Sequence, residues 1–541
     1  MLADKDTSSH RSSWPPLHLT VSHGMGYRIF SVAAPLLCGI VIIEYLNRKT
    51  RRKAHHPPSP KSWPLVGNLF SIPSGVEWLA YMKLGQLLNS DIIYLSMLGQ
   101  RIVVLNSARA ASDLLDKRSA LYSDRMCPPM LKDPTLFYWP GNMSVLGYTA
   151  RWRQCRRVTN DTLNSRAVVQ YYDLLGKQAH SLLQRLTEIS AKAPAFDQVK
   201  EIIFFTTASS LFRLSYGYHL QNNKDPFFVE SNIAVDHICE AAMYTNFLVN
   251  VFPVLSYIPQ WLPGMSWKRT AERWRIQKDN AMNAPYEWTK AQVNAGIAET
   301  SMLSRCLQNY HLISEPDDAE RDDILKDIAM VLYGAGTDTS SNVLIKFIAA
   351  MVLNPTSQSR AQQELDEVIG PVALPSFSDR ERLPYIRNLI KEVLRWHPVA
   401  PLGLPHMCYQ DDNYRGYDIE KGTIVIGNLW AMSRDDSIYP DPEAFNPDRY
   451  LDPTVPEIPS FGWGRRKCPG AHLAEASLFI TIASMLSTLT FSKKKEADGV
   501  DITPIIKGTD NAVVLGLNPF EFDVTVRSEK HRRLVESTRG H

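Results

Sequence analysis

Between residues 60 and 525 the sequence has no Gly/Ser linker, no low-complexity tract and no internal repeat, and this absence argues for one large domain despite the length of the chain. A C-x-x-C pair is missing as well. The seven cysteines, Cys38, Cys127, Cys155, Cys239, Cys306, Cys408 and Cys468, are odd in number and scattered, which speaks against a disulfide framework or structural zinc and fits a reducing compartment. Charge of one sign is scarce. A formal net charge of +3, with no basic stripe interleaved with aromatics, gives nucleic acid no footprint. No G-x-G-x-x-G turn follows a strand ahead of a suitable acidic partner, so no dinucleotide or flavin module is attached. What the chain does have is apolar material. With 44% hydrophobic and 21% charged residues it can bury a large core.

An uncharged apolar run from Ile29 to Ile43 extends over Tyr27–Leu46 when Arg28 and Glu44 are set at the two interfaces. That length spans a bilayer, which needs about 20 residues of helix. Nothing after Ile43 offers a small-x-small cleavage site, and Arg48, Lys49, Arg51, Arg52 and Lys53 crowd the C-terminal flank, which places the body of the protein in the cytosol. The expected organisation is a lumenal segment at 1–26, a transmembrane anchor at 27–46, a basic and proline-rich hinge at 47–68, the main domain at 69–526 and a charged tail at 527–541 that reads as a frayed end. Within the main domain, Ile92–Leu95, Arg101–Leu105 and Tyr414–Ile426 have extended character. Apolar residues at helical spacing mark Val168–Ala191, Ile324–Leu353, Gln358–Ile369 and Tyr385–Trp396.

The strongest chemical signal is Phe461-Gly462-Trp463-Gly464-Arg465-Arg466-Lys467-Cys468-Pro469-Gly470. One cysteine sits among glycines and cations: Gly464 and Gly470 permit close backbone approach to a flat ligand and tolerate positive φ, while Arg466, with Arg465 and Lys467, favours the ionised sulfur. Such a thiolate is an axial ligand for haem iron. Three further patterns are weak taken singly. Gly334 and Gly336 interrupt an apolar helix around Ala335-Gly336-Thr337-Asp338-Thr339-Ser340, where glycines and back-bonding hydroxyls would loosen the helix into a groove. Glu392 and Arg395 share a helix face at i and i+3. Trp152 and Arg156 do so at i and i+4.

The ten-residue segment resembles the haem-binding loop of the cytochrome P-450 family, Phe-x-x-Gly-x-Arg-x-Cys-x-Gly, at every fixed position, and the similarity runs from the proline hinge to about Phe522. The details are similar to the fungal microsomal, O-methylsterigmatocystin oxidoreductase-like type. The resemblance implies a mainly α fold, a single large triangular helical domain with a small β region, preceded by the N-terminal transmembrane helix. It implies haem b with Cys468 as metal ligand and Phe461, Gly464, Arg466 and Gly470 around it. It also implies Trp152, Arg156 and His406 as propionate contacts, and Asp338 and Thr339 as the catalytic acid–alcohol pair that passes protons to dioxygen. Glu392, Arg395 and Arg449 take the family's structural network. O2 is then a co-substrate and NADPH acts indirectly through a membrane-bound cytochrome P-450 reductase, for which Arg153, Arg157, Arg465 and Lys467 form a docking face. The implied setting is the endoplasmic reticulum membrane, single-pass and facing the cytosol. The implied reaction inserts one oxygen atom into a lipophilic small molecule in fungal secondary metabolism, in a pocket drawing on Phe137, Tyr138, Trp139, Met143, Ala335, Thr339, Val399, Leu402, Leu404, Ile505 and Ile506. Two rivals stay open: a haem-thiolate isomerase or dehydratase that uses no O2, against which the intact Asp338–Thr339 pair speaks, and a membrane-tethered haem-binding sensor.

Overall fold

The computed structural model describes residues 54–190, 194–243, 246–309, 318–509 and 513–538. The anchor expected at 27–46 lies outside them. From His56 onward the chain forms a single unit. Its helices of eight residues or more are α1 (Glu77–Leu87), α2 (Ala150–Leu163), α3 (Tyr172–Ser190), α4 (Phe196–Tyr216), α5 (Pro226–Ala242), α6 (Ser266–Asn294), α7 (Asp318–Leu353), α8 (Pro355–Val368), α9 (Pro384–Trp396), α10 (Ala471–Thr488) and α11 (Glu529–Ser537). The mainly helical expectation holds.

Helix α7 is the axis of the domain. At 36 residues it is about 54 Å long and starts a turn earlier than the apolar pattern indicated. It packs most extensively against α4, and also against α9 and α10. Gly334 and Gly336 are explained by this packing rather than by a groove. A Cβ at Gly334 would stand 2.5 Å from Val235 Cγ2 of α5, and one at Gly336 would stand 2.6 Å from Leu211 Cδ1 of α4. Both glycines therefore let neighbouring helices close on α7, and the expected loosening is corrected for them. The back-bonding hydroxyls are present: Thr339 Oγ1 donates to the Ala335 carbonyl at 2.8 Å and Ser341 Oγ to that of Thr337 at 2.7 Å.

The small β region is a four-stranded sheet, with β1 (Ile92–Met97) antiparallel to β2 (Gln100–Leu105), β6 (Ile424–Gly427) parallel to β2, and β3 (His406–Met407) antiparallel to β6. Two-residue turns cannot join parallel strands, so β2 and β6 meet only after the helical body has intervened. Both faces are covered. Val103, Leu105 and Val425 bury one side, and Ile102, Val104, Ile424 and Ile426 bury the other, hence the unbroken apolar runs. Short ribbons pair β4 (Asp412–Tyr414) with β5 (Tyr417–Ile419), β7 (Leu489–Ser492) with β10 (Asp523–Val526), and β8 (Lys494–Lys495) with β9 (Asp501–Ile502).

The C-terminal tail is folded, against the expectation of a frayed end. Helix α11 buries Val535 and His531, Gln184 of α3 donates to Thr538 Oγ1 at 2.9 Å, and Arg527 pairs with Asp366 of α8. Charge at i, i+3 and i+4 masked an amphipathic stripe of only two apolar positions.

Candidate functional site

The Cys468 loop is closed by its own backbone, the Cys468 N–H donating to the Phe461 carbonyl at 2.8 Å. Gly462 and Gly464 take φ of +75° and +52°, which allows so tight a reversal. Gly464 answers to protein rather than ligand: a Cβ there would fall 2.2 Å from the Leu115 carbonyl oxygen, and its N–H donates to Asp116 Oδ1 at 2.6 Å. Gly470 is different. A Cβ at that position would meet only Cys468 Sγ, at 3.9 Å, and would otherwise enter open space beside the sulfur. Among the six described cysteines, Cys468 alone is exposed. It is nevertheless surrounded closely enough that burial raises its thiol pKa, opposed by the Gly470 N–H and by the positive charges of Arg156 and Lys467. An accessible sulfur deep in the protein faces an internal opening.

A cationic cluster adjoins the loop. Arg466 lies over the Trp152 ring at 4.2 Å and donates from Nε to the Ser123 carbonyl (2.6 Å) and from Nη2 to the Leu146 carbonyl (2.7 Å). Arg125 is buried, donates to the carbonyls of Leu404 and Pro405, and leaves its Nε without a partner. Burial and the facing Arg466 charge pull Arg125 down to about 9, and burial pulls Arg466 down to about 10 despite Asp124. His406 is buried on β3, its Nδ1 donates to the Tyr122 carbonyl at 2.7 Å, and burial, Arg125 and Arg466 hold it well below the usual imidazole value. It is therefore neutral. The guanidinium of Arg156, half-buried on α2, has no hydrogen-bond or ion-pair partner among the described residues, and burial lowers its pKa. Arginines that depress one another in a buried space favour an anion between them. Arg125 was missed in the sequence, where Ser-Asp-Arg has no periodicity or spacing to single it out.

Asp338 and Thr339 form a second group, joined to the loop by no hydrogen bond or ion pair among the described residues. Asn342 donates to Asp338 Oδ1 at 2.9 Å. Burial first, and then the negative charge of Asp236, push the Asp338 carboxyl up to about 6, against Lys200, Asn342 and Lys346. Thr339 and exposed Ala335 interrupt the otherwise covered middle of α7.

The Glu392 network ties α9 to the segment that precedes the loop. Arg395 grips Glu392 with two bonds of 2.7 and 2.8 Å, and Arg449 Nε and the Asn446 N–H reach the same carboxylate at 3.1 and 2.9 Å. The remaining guanidinium donors hold the carbonyls of Ser433, Pro442 and Ala444, and Arg449 also holds that of Pro440. Glu392 and Arg395 are wholly enclosed. Of the expected pocket residues, Phe137 and Trp139 are core instead, Trp139 Nε1 donating to buried Asp327 at 2.7 Å, while Tyr138, Ala335, Leu404 and Ile505 are exposed.

These residues suit a haem by their own chemistry: a sulfur beside open space where Gly470 lacks a Cβ, an orphaned buried guanidinium nitrogen and a cationic cluster short of anions that could hold its carboxylates. The cytochrome P-450 family model matches residues 57–517. The chain belongs to the cytochrome P-450 family. As such it uses haem with a cysteine thiolate ligand and O2, with NADPH supplied through a reductase. It is 36% identical over 93% of its length to cytochrome P-450 monooxygenase 208 of Postia placenta, covering 96% of that protein. Tryptamine 4-monooxygenase of Psilocybe cyanescens is 34% identical, with 86% of this chain and 93% of that one aligned. The monooxygenase claR of Ampulloclitocybe clavipes is 35% identical over 92% and 91%. A zebrafish cytochrome P-450 solved with abiraterone superposes with a TM-score of 0.67 over 83% of this chain and all of that one, at 22% identity, a likeness of fold. The P-450 chain is a monooxygenase.

Proposed function

We propose that this monooxygenase oxidises a lipophilic small molecule in fungal secondary metabolism, held at a membrane and reduced by an NADPH-dependent reductase. The observation that carries the reading is Asp338, an acid whose carboxyl sits at about 6 beside a hydroxyl that faces open space. A group poised near the working pH can both take up and release a proton. The haem supplies the oxygen-activating chemistry. The chain's own residues do the rest: Cys468 ligates, Arg125, Arg156, Arg466 and His406 hold the carboxylates, Asp338 donates protons, and Thr339 orients them. His406 keeps its Nδ1 proton on Tyr122, so it offers Nε2 as an acceptor until an approaching carboxylate raises its proton affinity.

Substrate and partner rest on surface chemistry. Ala335, Val399 and Leu402 offer apolar lining, and fungal relatives that include a tryptamine 4-monooxygenase align over most of the chain's length. Phe70, Leu248, Val254, Tyr257 and Trp261 are more than half exposed, an arrangement that favours contact with lipid. Arg153, Arg157, Arg465 and Lys467 are exposed, Arg153 and Arg465 lie over the ring of half-buried Tyr148, and the group gives an acidic redox partner a basic face. The test is reconstitution with reductase and NADPH in vesicles, scored as substrate-dependent oxygenated product from a panel of apolar terpenoids, polyketides and alkaloids. Product from apolar members supports the reading. Turnover of polar compounds alone overturns it.

A further inference from the structure

Lys346 is fully enclosed on α7. It follows Asp338 by eight residues with Asn342 midway, so all three share one helix face and about 12 Å separates the outer two along the axis. Helical side chains lean towards the N-terminus, so the Lys346 stem points back at Asn342 and Asp338. An ammonium has three donors, yet Lys346 Nζ makes one bond, a long 3.3 Å to the Pro398 carbonyl, and has no ion-pair partner among the described residues. Burial brings its pKa down to about 7, with the Asp338 charge opposing. Asp338 in turn faces Asp236 of α5, Lys200 of α4, and Asn342 and Lys346 of α7.

The neighbour on the far side is His397, preceding Pro398. Its Nδ1 is buried without a partner, and burial, Lys346 and Arg434 keep the ring neutral. His397 lines a surface cavity of about 360 Å³ with Trp78, Trp396, Trp430, Arg434 and Glu443. Inward from that cavity stand the His397 ring, the Lys346 amine and the Asp338 carboxyl, each within electrostatic reach of the next. We propose that Lys346 is a positioning residue that reloads Asp338 with protons drawn from solvent through His397 and this cavity. The idea rests on Asp338 being the proton donor of the reaction. In each step one N–H bond of Lys346 breaks and one O–H bond forms on Asp338 through intervening water. The amine then takes a proton relayed from cavity water, whose own proton is replenished from bulk solvent, and no electron moves.

The test compares the parent with Lys346→Met, Lys346→Arg and Asp338→Asn in haem-loaded, reductase-coupled enzyme. Lys346→Met is expected to keep the reduced carbon-monoxide spectrum and KM, lower kcat by about tenfold and divert NADPH electrons into peroxide, with Lys346→Arg intermediate. Independently of turnover, the infrared carboxyl band assigned by Asp338→Asn should titrate at higher pH in Lys346→Met, because an opposing positive charge is gone. Removing a depressed amine should also raise the unfolding midpoint below pH 7, which shows that the variant folds. Parent-like coupling and an unmoved carboxyl band in Lys346→Met would leave the lysine merely structural and overturn the inference. Unimpaired coupling in Asp338→Asn would instead overturn the donor reading on which it stands.

Discussion

Gly427 shows how one missing carbon sets the haem loop: a Cβ on it would lie 2.4 Å from the Trp463 ring, which is itself enclosed and cannot yield. Gly427→Ala should destabilise the protein by about 1–3 kcal/mol in chemical unfolding, an overpacking cost. Arg125 makes the complementary prediction. Arg125→Leu removes a buried, mutually repelled cation, so the haem-free protein should lose little stability while the loaded protein releases haem faster to an apomyoglobin scavenger. Asp338 predicts a pH dependence of definite sign. Its carboxyl is raised from the unfolded value of about 3.9, so its contribution to stability is present below that pH and is lost as pH rises through about 6. Asp338→Asn should therefore unfold at higher temperature than the parent at pH 7 and at the same temperature near pH 4. At this scale the sequence singled out Cys468, Asp338, Thr339 and Trp152 through fixed motif spacing, whereas Arg125 and Lys346 owe their character to burial and to neighbours hundreds or tens of residues away.

Elements were legible where their period was strong. Helix α9 and strands β1 and β2 appear nearly residue for residue in the apolar pattern, because each buries one regular face or both. The purpose of Gly334 and Gly336 was not legible, since a glycine that admits Val235 or Leu211 looks in sequence like one that weakens a helix. The tail was misread for a related reason: α11 stabilises itself with two buried side chains against α3, too few to register as a pattern. Deleting residues 529–541 should lower the unfolding midpoint measurably, since burial of a side chain such as Val535 contributes about 1.5–3 kcal/mol. The Glu392 triad binds α9 to the segment before the haem loop, and Glu392→Ala leaves two buried guanidinia uncompensated. That change should cost about 3–5 kcal/mol and yield protein that retains little haem, read as the ratio of Soret to protein absorbance.

In the whole molecule the elements converge on one arrangement, in which α7 carries Asp338 and Thr339 and the loop before α10 carries the Cys468 thiol. The covered sheet and the α4–α7 packing hold the body rigid between them. The basic face at Arg153, Arg157, Arg465 and Lys467 lies on the loop and on α2, so an acidic redox partner docked there, as proposed, would deliver electrons close to Cys468. The most direct measurement is the optical spectrum of the purified protein, reduced with dithionite and exposed to carbon monoxide, beside that of Cys468→Ser. A strongly red-shifted Soret band that disappears in the variant is the predicted result. A spectrum without haem, or the same band in both proteins, would contradict thiolate ligation by Cys468 and with it the site as a whole.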